Sequence, residues 1–121
     1  MNGAEAIVKS LQQYGVDSVF GLPGGQLDHL FDAIYKTDGK LKLIHSRHEQ
    51  GAAYMAYGYA RSTGRVGTYI VVPGPGLLNT TAALCTAYAC NTPVLCLTGQ
   101  IPSAGIGTGR GYLHEIPDQL G

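Results

Sequence analysis

Charge is what this sequence has least of. Asp, Glu, Lys and Arg together make up 13% of its 121 residues, against about 25% in soluble domains generally. A surface so poor in charge is expected to be covered, either by the rest of a longer polypeptide or by another subunit. The formal net charge of +0 offers no field for nucleic acid or an anionic membrane. Long apolar runs are missing as well. The longest are about strand length, well short of the roughly 20 residues of a membrane-spanning helix. The amphipathic N-terminus, MNGAEAIVKSLQQYG, carries an acid early and fits neither a secretory signal nor a transit peptide, so a cytoplasmic location is expected.

Several chemical signatures are absent too. Cys85, Cys90 and Cys96 contain no CxxC pair. Cys85 and Cys90 stand five apart in an expected helix, hence on different faces, and Cys96 falls in a strand-like run. Reduced, buried thiols are expected rather than a disulfide or a metal site. His45 and His48 flank a strand end without a spaced partner set, and His29 sits among acids as a solvated side chain, so no metal ligands are assigned. The phosphate-loop pattern GxxxxGK[ST] does not occur, nor does GxGxxG between a strand and a helix. GTGRG (107–111) has no strand immediately before it and no evident helix after it, which disfavours nucleotide phosphate binding.

What is present is alternation. Ala4, Ile7, Val8, Leu11 and Tyr14 share a helical stripe, with Asn2 as N-cap and Gly15 as stop. A buried strand is expected over 16–22, a helix over 26–36, a strand over 41–46 and a helix over 47–61. Then come a strand over 66–72, a helix over 77–90, a strand over 93–99 and a Gly- and Pro-rich tail without period. Such alternation predicts an α/β fold, a parallel sheet with helices on both faces, apparently truncated after its fourth strand. All strand-to-helix turns of such a sheet lie along its carboxyl edge, where ligands bind. LPGG, SRHE, VPGPG and TGQ fall there, and three of the four are glycine-rich, which would let a ligand approach the backbone.

SRHE supplies Glu49. It opens the segment RHEQGAAYMAYGYAR, and no Asp or Glu follows it until Glu115. An acid at a helix start is favoured by the helix dipole, by about 0.3–1 kcal/mol. That explains the position but not the surroundings. Ala52, Ala56 and Ala60 recur along one face beside Ala53 and Gly58, leaving a nearby carboxyl little polar solvation. A carboxyl so placed is expected to keep or exchange a proton.

VFGLPGG, RHEQGAAYMAYGYAR, PGPGLLN and PVLCLTGQ, in this order and spacing, resemble the N-terminal pyrimidine-binding domain of thiamine diphosphate enzymes, nearest to the acetolactate synthase group. The likeness covers nearly the whole chain and implies thiamine diphosphate as cofactor and a 2-oxo acid as substrate. It implies that Glu49 hydrogen-bonds N1′ of the aminopyrimidine and so promotes loss of the thiazolium C2 proton. Pro23, Gly24 and Gly25 would line the pocket near the reacting centre. Pro75, Gly76 and Asn79 would approach the pyrimidine, and Gln100, Leu113 and His114 would lie close to substrate.

The chain departs from the acetolactate synthase pattern at Leu113-His114-Glu115, where a Phe-Gln-Glu triplet is usual, at Tyr57 in place of Asp, and at Pro73 in place of Ser. Val72 stands where related benzoylformate decarboxylases carry His, which speaks against that specificity. The Gly-Asp-Gly…Asn motif that holds diphosphate and Mg²⁺ in the family is absent. The resemblance therefore implies a partial pyrimidine-binding domain over 1–121, inactive alone. It would work with the diphosphate domain of another subunit in a homodimer or homotetramer, with FAD in a central domain of some members. A non-catalytic interaction module of the same fold and a flavodoxin- or Rossmann-like nucleotide binder are the alternatives; the first has no need of Glu49, and the second lacks its phosphate loop.

Overall fold

A computed structural model describes residues 1–119. Helix α1 (Gly3–Gln13) opens on the N-cap expected of Asn2, completed by Glu5 into a capping box: the Asn2 side chain accepts from Glu5 N at 2.9 Å, and the Glu5 carboxylate accepts from Asn2 N at 3.1 Å. Strand β1 (Ser18–Gly21), helix α2 (Asp28–Tyr35), strand β2 (Lys42–His45) and helix α3 (Glu49–Thr63) follow. Strand β3 (Gly67–Val71), the single turn α4 (Pro75–Leu78), helix α5 (Thr81–Ala89) and strand β4 (Val94–Thr98) complete the alternation. A 3₁₀ turn at Ser103–Gly105 is the one regular piece in the described part of the tail.

All three strand pairings are parallel, in the order β2-β1-β3-β4. Alternate side chains of the central strands point to opposite faces, as a pleated strand requires. Val19 and Ile70 meet Val8 and Leu11 of α1 and Leu30, Ala33 and Ile34 of α2. Phe20, Tyr69 and Val71 meet Ala52, Ala53 and Ala56 of α3 and Ala83 of α5. The sheet is thus covered on both faces, as the alternation implied. Its edges are β2, where Lys42, Ile44 and His45 are exposed, and β4, where Leu95 is. An apolar groove of about 590 Å³ runs beside β4, lined among others by Ile7, Tyr14, Val66 and Leu95. Such a groove is one result of having so little charge to spend on the surface.

The stripe of alanines has a use the sequence did not disclose. Ala52, Ala53, Ala56 and Ala60 are almost fully buried, and the first three pack on Phe20, Tyr69 and Val71 of the sheet. Their small side chains bring α3 so close to β3 that a Cβ added at Gly67 would overlap the carbonyl oxygen of Ala56.

Two helices also differ from the periodicity. The helix expected from residue 26 begins at Asp28, because Gln26 takes a left-handed φ of 67° that no helix can contain. The helix expected over 77–90 is broken between α4 and α5 at Asn79 and Thr80. There the Thr80 hydroxyl donates to Leu77 O at 2.7 Å. With its proton committed, its oxygen must accept the Tyr69 O–H, 3.0 Å away inside the core. This relay pins the break in the helix to the central strand. Tyr69→Phe is expected to destabilise the chain by about 1–3 kcal/mol, read as a lower urea midpoint with unchanged m. The cysteines differ from expectation as well: Cys85 and Cys90 are exposed, because α5 turns only Ala83 and Ala87 fully inward, and Cys96 is half-buried on the edge strand β4.

Candidate functional site at the sheet's carboxyl edge

The order β2-β1-β3-β4 makes the chain leave β1 toward one side and β3 toward the other. The crevice at such a switch point is where open α/β sheets bind ligands. The turn after β1 carries Pro23-Gly24-Gly25, and the turn after β3 carries Pro73-Gly74-Pro75-Gly76. They meet on Val72. A Cβ added at Gly24 would lie 2.6 Å from Val72 Cγ1, and one added at Gly76 would lie 2.5 Å from Val72 Cγ2. Val72's methyls thus fill the space that both glycines leave. Glycine at these positions therefore also serves packing between the turns, a use the sequence reading did not anticipate. Gly25, with nothing within 4 Å of an added Cβ, is the open one.

Glu49 comes to the same place from the neighbouring turn. It is the first residue of α3, whose N-cap His48 accepts the Gln50 N–H on Nδ1 at 3.1 Å. Asn79, at the C-cap of α4, donates from Nδ2 to Glu49 Oε2 at 3.0 Å. Glu49 Oε1 lies 3.6 Å from where a Gly76 Cβ would stand, and among the described residues it takes no protein hydrogen bond. The carboxylate is half-buried, not enclosed as the alanine stripe suggested, because that stripe is spent on the sheet. One oxygen is held and the other is available, which suits a partner that presents a single N–H or O–H.

The tail closes over the other side of the crevice. A Cβ on Gly74, whose φ is +60°, would overlap the carbonyl oxygen of His114. Gln26 Nε2 donates to Leu113 O at 3.0 Å, and Gln26 Oε1 lies 3.2 Å from His114 Nδ1. Gln119 accepts from Gly74 N at 2.8 Å and donates to Gly99 O at 3.0 Å. Glu49, Gly24, Gly76 and Asn79 therefore form one group around Val72, and His114 joins it at the far side of the same turn. Pro23, Gly25 and Pro75 are exposed at the crevice rim, as is Leu113 at the tail. Gln100 lies apart: it is exposed, bonds to its own neighbour Ile101 N, and borders a cavity of about 550 Å³ against the tail. Gln26 and Gln119 were missed by sequence reasoning. Gln26 read as part of a helix, and Gln119 sat in a segment without period.

Over residues 1–121 the chain matches the family described as thiamine pyrophosphate enzyme, N-terminal TPP binding domain. The chain belongs to that family. Its acetolactate synthase relatives include one from Arthrospira platensis, 46% identical over 110 residues, covering 89% of this chain and 19% of the relative. A probable acetolactate synthase large subunit of Methanocaldococcus jannaschii is 46% identical over 109 residues, covering 88% of this chain and 18% of the relative. A probable 2-ketoarginine decarboxylase of Pseudomonas aeruginosa is 40% identical over 119 residues, covering 98% of this chain and 21% of the relative. The chain spans about one fifth of the length of these curated relatives. The four-stranded parallel sheet agrees with membership of this thiamine pyrophosphate family, which displaces the nucleotide-binding alternative. Among the described residues no helix is long and apolar enough to cross a membrane.

Proposed function

We propose that this chain is the pyrimidine-binding half-site of a thiamine diphosphate enzyme that decarboxylates a 2-oxo acid, with carboligation as an acetolactate synthase-like outcome. The observation that carries the reading is the state of Glu49. In a chain of this family, at the switch point of the sheet, its half-buried carboxylate has one oxygen held by Asn79 and the other without a protein partner. A free carboxylate oxygen fits the protonated N1′ of an aminopyrimidine. When bound, thiamine diphosphate supplies the electron sink that lets CO₂ leave a 2-oxo acid.

The chain's own residues divide the remaining work. Glu49 holds a proton at N1′ of the pyrimidine and is the catalytic residue. Asn79 keeps the carboxylate aimed by taking up its second oxygen, since a carboxylate that accepts a fixed hydrogen bond loses rotational freedom. Pro23, Gly24, Gly25, Pro75 and Gly76 form the cofactor-facing wall, and Val72 locks the two turns together beneath it. Leu113 and His114, with Gln100 further out, face the substrate. Diphosphate and Mg²⁺ belong to a second domain contributed by another subunit of a homodimer or homotetramer, and FAD, where used, to a central one. The relatives' roughly fivefold greater length leaves room for both. This chain alone would then have no turnover, and its location would be cytoplasmic.

The test is CO₂ release from pyruvate by the full-length protein that carries this domain, with thiamine diphosphate and Mg²⁺. Release that needs the cofactor supports the reading; cofactor-independent release, or none from any 2-oxo acid, contradicts it. In the same assay Asn79→Ala is expected to lower kcat about ten- to a hundredfold, the range of a hydrogen bond to a charged group. Asn79→Asp should lower it further, because it sets a like charge beside Glu49.

A further inference from the structure

Two hydrogen bonds fix which nitrogen carries the proton in a neutral ring that geometry alone would leave open. Gln26 Nε2 is 3.0 Å from the carbonyl oxygen of Leu113. A carbonyl only accepts, so the amide nitrogen of Gln26 must face it, and the amide oxygen must face the other way. That oxygen lies 3.2 Å from His114 Nδ1. Oxygen on this side also only accepts, so Nδ1 must carry the proton. We infer that Gln26 is a positioning residue that holds the His114 imidazole as its Nδ1–H tautomer, leaving Nε2 as the acceptor nitrogen.

The backbone shows that this contact is built and not incidental. Gln26 and His114 both have a φ of 67°, in the left-handed region that non-glycine residues seldom occupy. Asp38, Asn91 and Asp118, the other such non-glycine positions among the described residues, have the short polar side chains that tolerate it. Gln26 has no such excuse, and its conformation is maintained by what its side chain reaches. The amide spans from the turn between β1 and α2 to the tail and binds both Leu113 and His114. Among the described residues Nε2 of His114 takes no protein partner. A neutral imidazole held in this way accepts a hydrogen bond or a proton at Nε2 and donates none from it. The ligand class it selects brings a donor, such as a hydroxyl or an ammonium group, to that nitrogen. This selection rests on the proposed function of the crevice; the tautomer does not.

The chain contains its own control. His48 Nδ1 accepts the Gln50 N–H at 3.1 Å, so that nitrogen must be unprotonated and His48 must be the opposite, Nε2–H tautomer. The experiment is a ring ¹⁵N–¹H correlation spectrum of the full 121-residue chain above pH 8, where only four histidines contribute. His114→Asn and His48→Asn assign the two rings. The expected spectrum has a protonated-type Nδ1 and an unprotonated-type Nε2 for His114, and the reverse for His48. In Gln26→Leu the preference of His114 for Nδ1–H should fall by about two- to tenfold, the range of one net hydrogen bond. Gln26→Glu, which keeps an acceptor at the same reach, should preserve it. His114 found as Nε2–H in the unsubstituted chain overturns the inference, whether or not any variant folds. So does an unchanged His114 ring in a Gln26→Leu chain whose backbone spectrum stays dispersed. Neither result depends on thiamine diphosphate, so loss of cofactor-dependent CO₂ release would bear on the function and leave the tautomer standing.

Discussion

Glu49→Gln in the full-length enzyme is expected to slow hydrogen–deuterium exchange at thiazolium C2 by about 10²–10⁴-fold, the usual contribution of a positioned acid–base group. The substitution is close to isosteric. A glutamine at this position can still accept from Asn79 Nδ2, now 3.0 Å from Glu49 Oε2, so the packing around Val72 and Gly76 has no reason to change. What it would remove, on the proposed function, is the ability to share a proton at N1′. The variant should therefore bind thiamine diphosphate and unfold near the parent's urea midpoint while exchanging slowly. Exchange at the parent rate would show that Glu49 is only the dipole-favoured acid of α3, the bland account of its position at a helix start. Rates are read by NMR after rapid acid quench, with cofactor occupancy checked on the same samples.

The second large effect falls on the frame that holds Glu49. Gly67→Ala puts a methyl group into the carbonyl of Ala56, backbone against backbone, where no side-chain rotation can relieve it. Helix α3 must then lift from β3, and with it the packing of Ala52, Ala53 and Ala56 on Phe20, Tyr69 and Val71. Overpacking ordinarily costs about 1–3 kcal/mol. Here the neighbour is rigid, so about 3 kcal/mol or more is expected, a large part of the roughly 5–15 kcal/mol that stabilises a typical domain. Urea unfolding of the 121-residue chain measures it. Because Glu49 begins the same helix, the full-length variant should also lose cofactor-dependent activity beyond what its unfolded fraction explains. A Gly67→Ala chain as stable as the parent would mean that α3 does not approach the sheet this closely.

The frame was legible because its signals are local and repeated. Helical stripes such as Val8 and Leu11, β-branched runs such as Ile70-Val71-Val72, and glycine-proline breaks each announce an element, and their alternation implies the parallel sheet. Glu49 was legible for another reason: an acid that stands alone for so long a stretch draws attention before any fold is known. The rest depends on contacts between distant parts of the chain. Nothing in the run LLNTTAAL shows that Thr80 would answer to Tyr69 and break the helix there. Nothing in GGQLD shows that Gln26 would leave the helix to reach His114, far along the sequence. The alanine stripe was seen, but a small face suits a ligand as well as a sheet, and only Gly67 decides between them. Gly24 and Gly76 illustrate the same ambiguity, since the space a missing Cβ leaves can receive a ligand or, as here, the methyls of Val72.

The most direct measurement is the ¹⁵N chemical shift of N1′ in labelled thiamine diphosphate bound to the full-length enzyme, recorded for the parent and for Glu49→Gln. A carboxylate with one oxygen fixed by Asn79 and the other turned to the ring should move the N1′ resonance toward the protonated form, and Glu49→Gln should abolish that movement. An N1′ resonance at the position of the free cofactor, the same in both proteins, would contradict the assignment of this carboxylate to the pyrimidine.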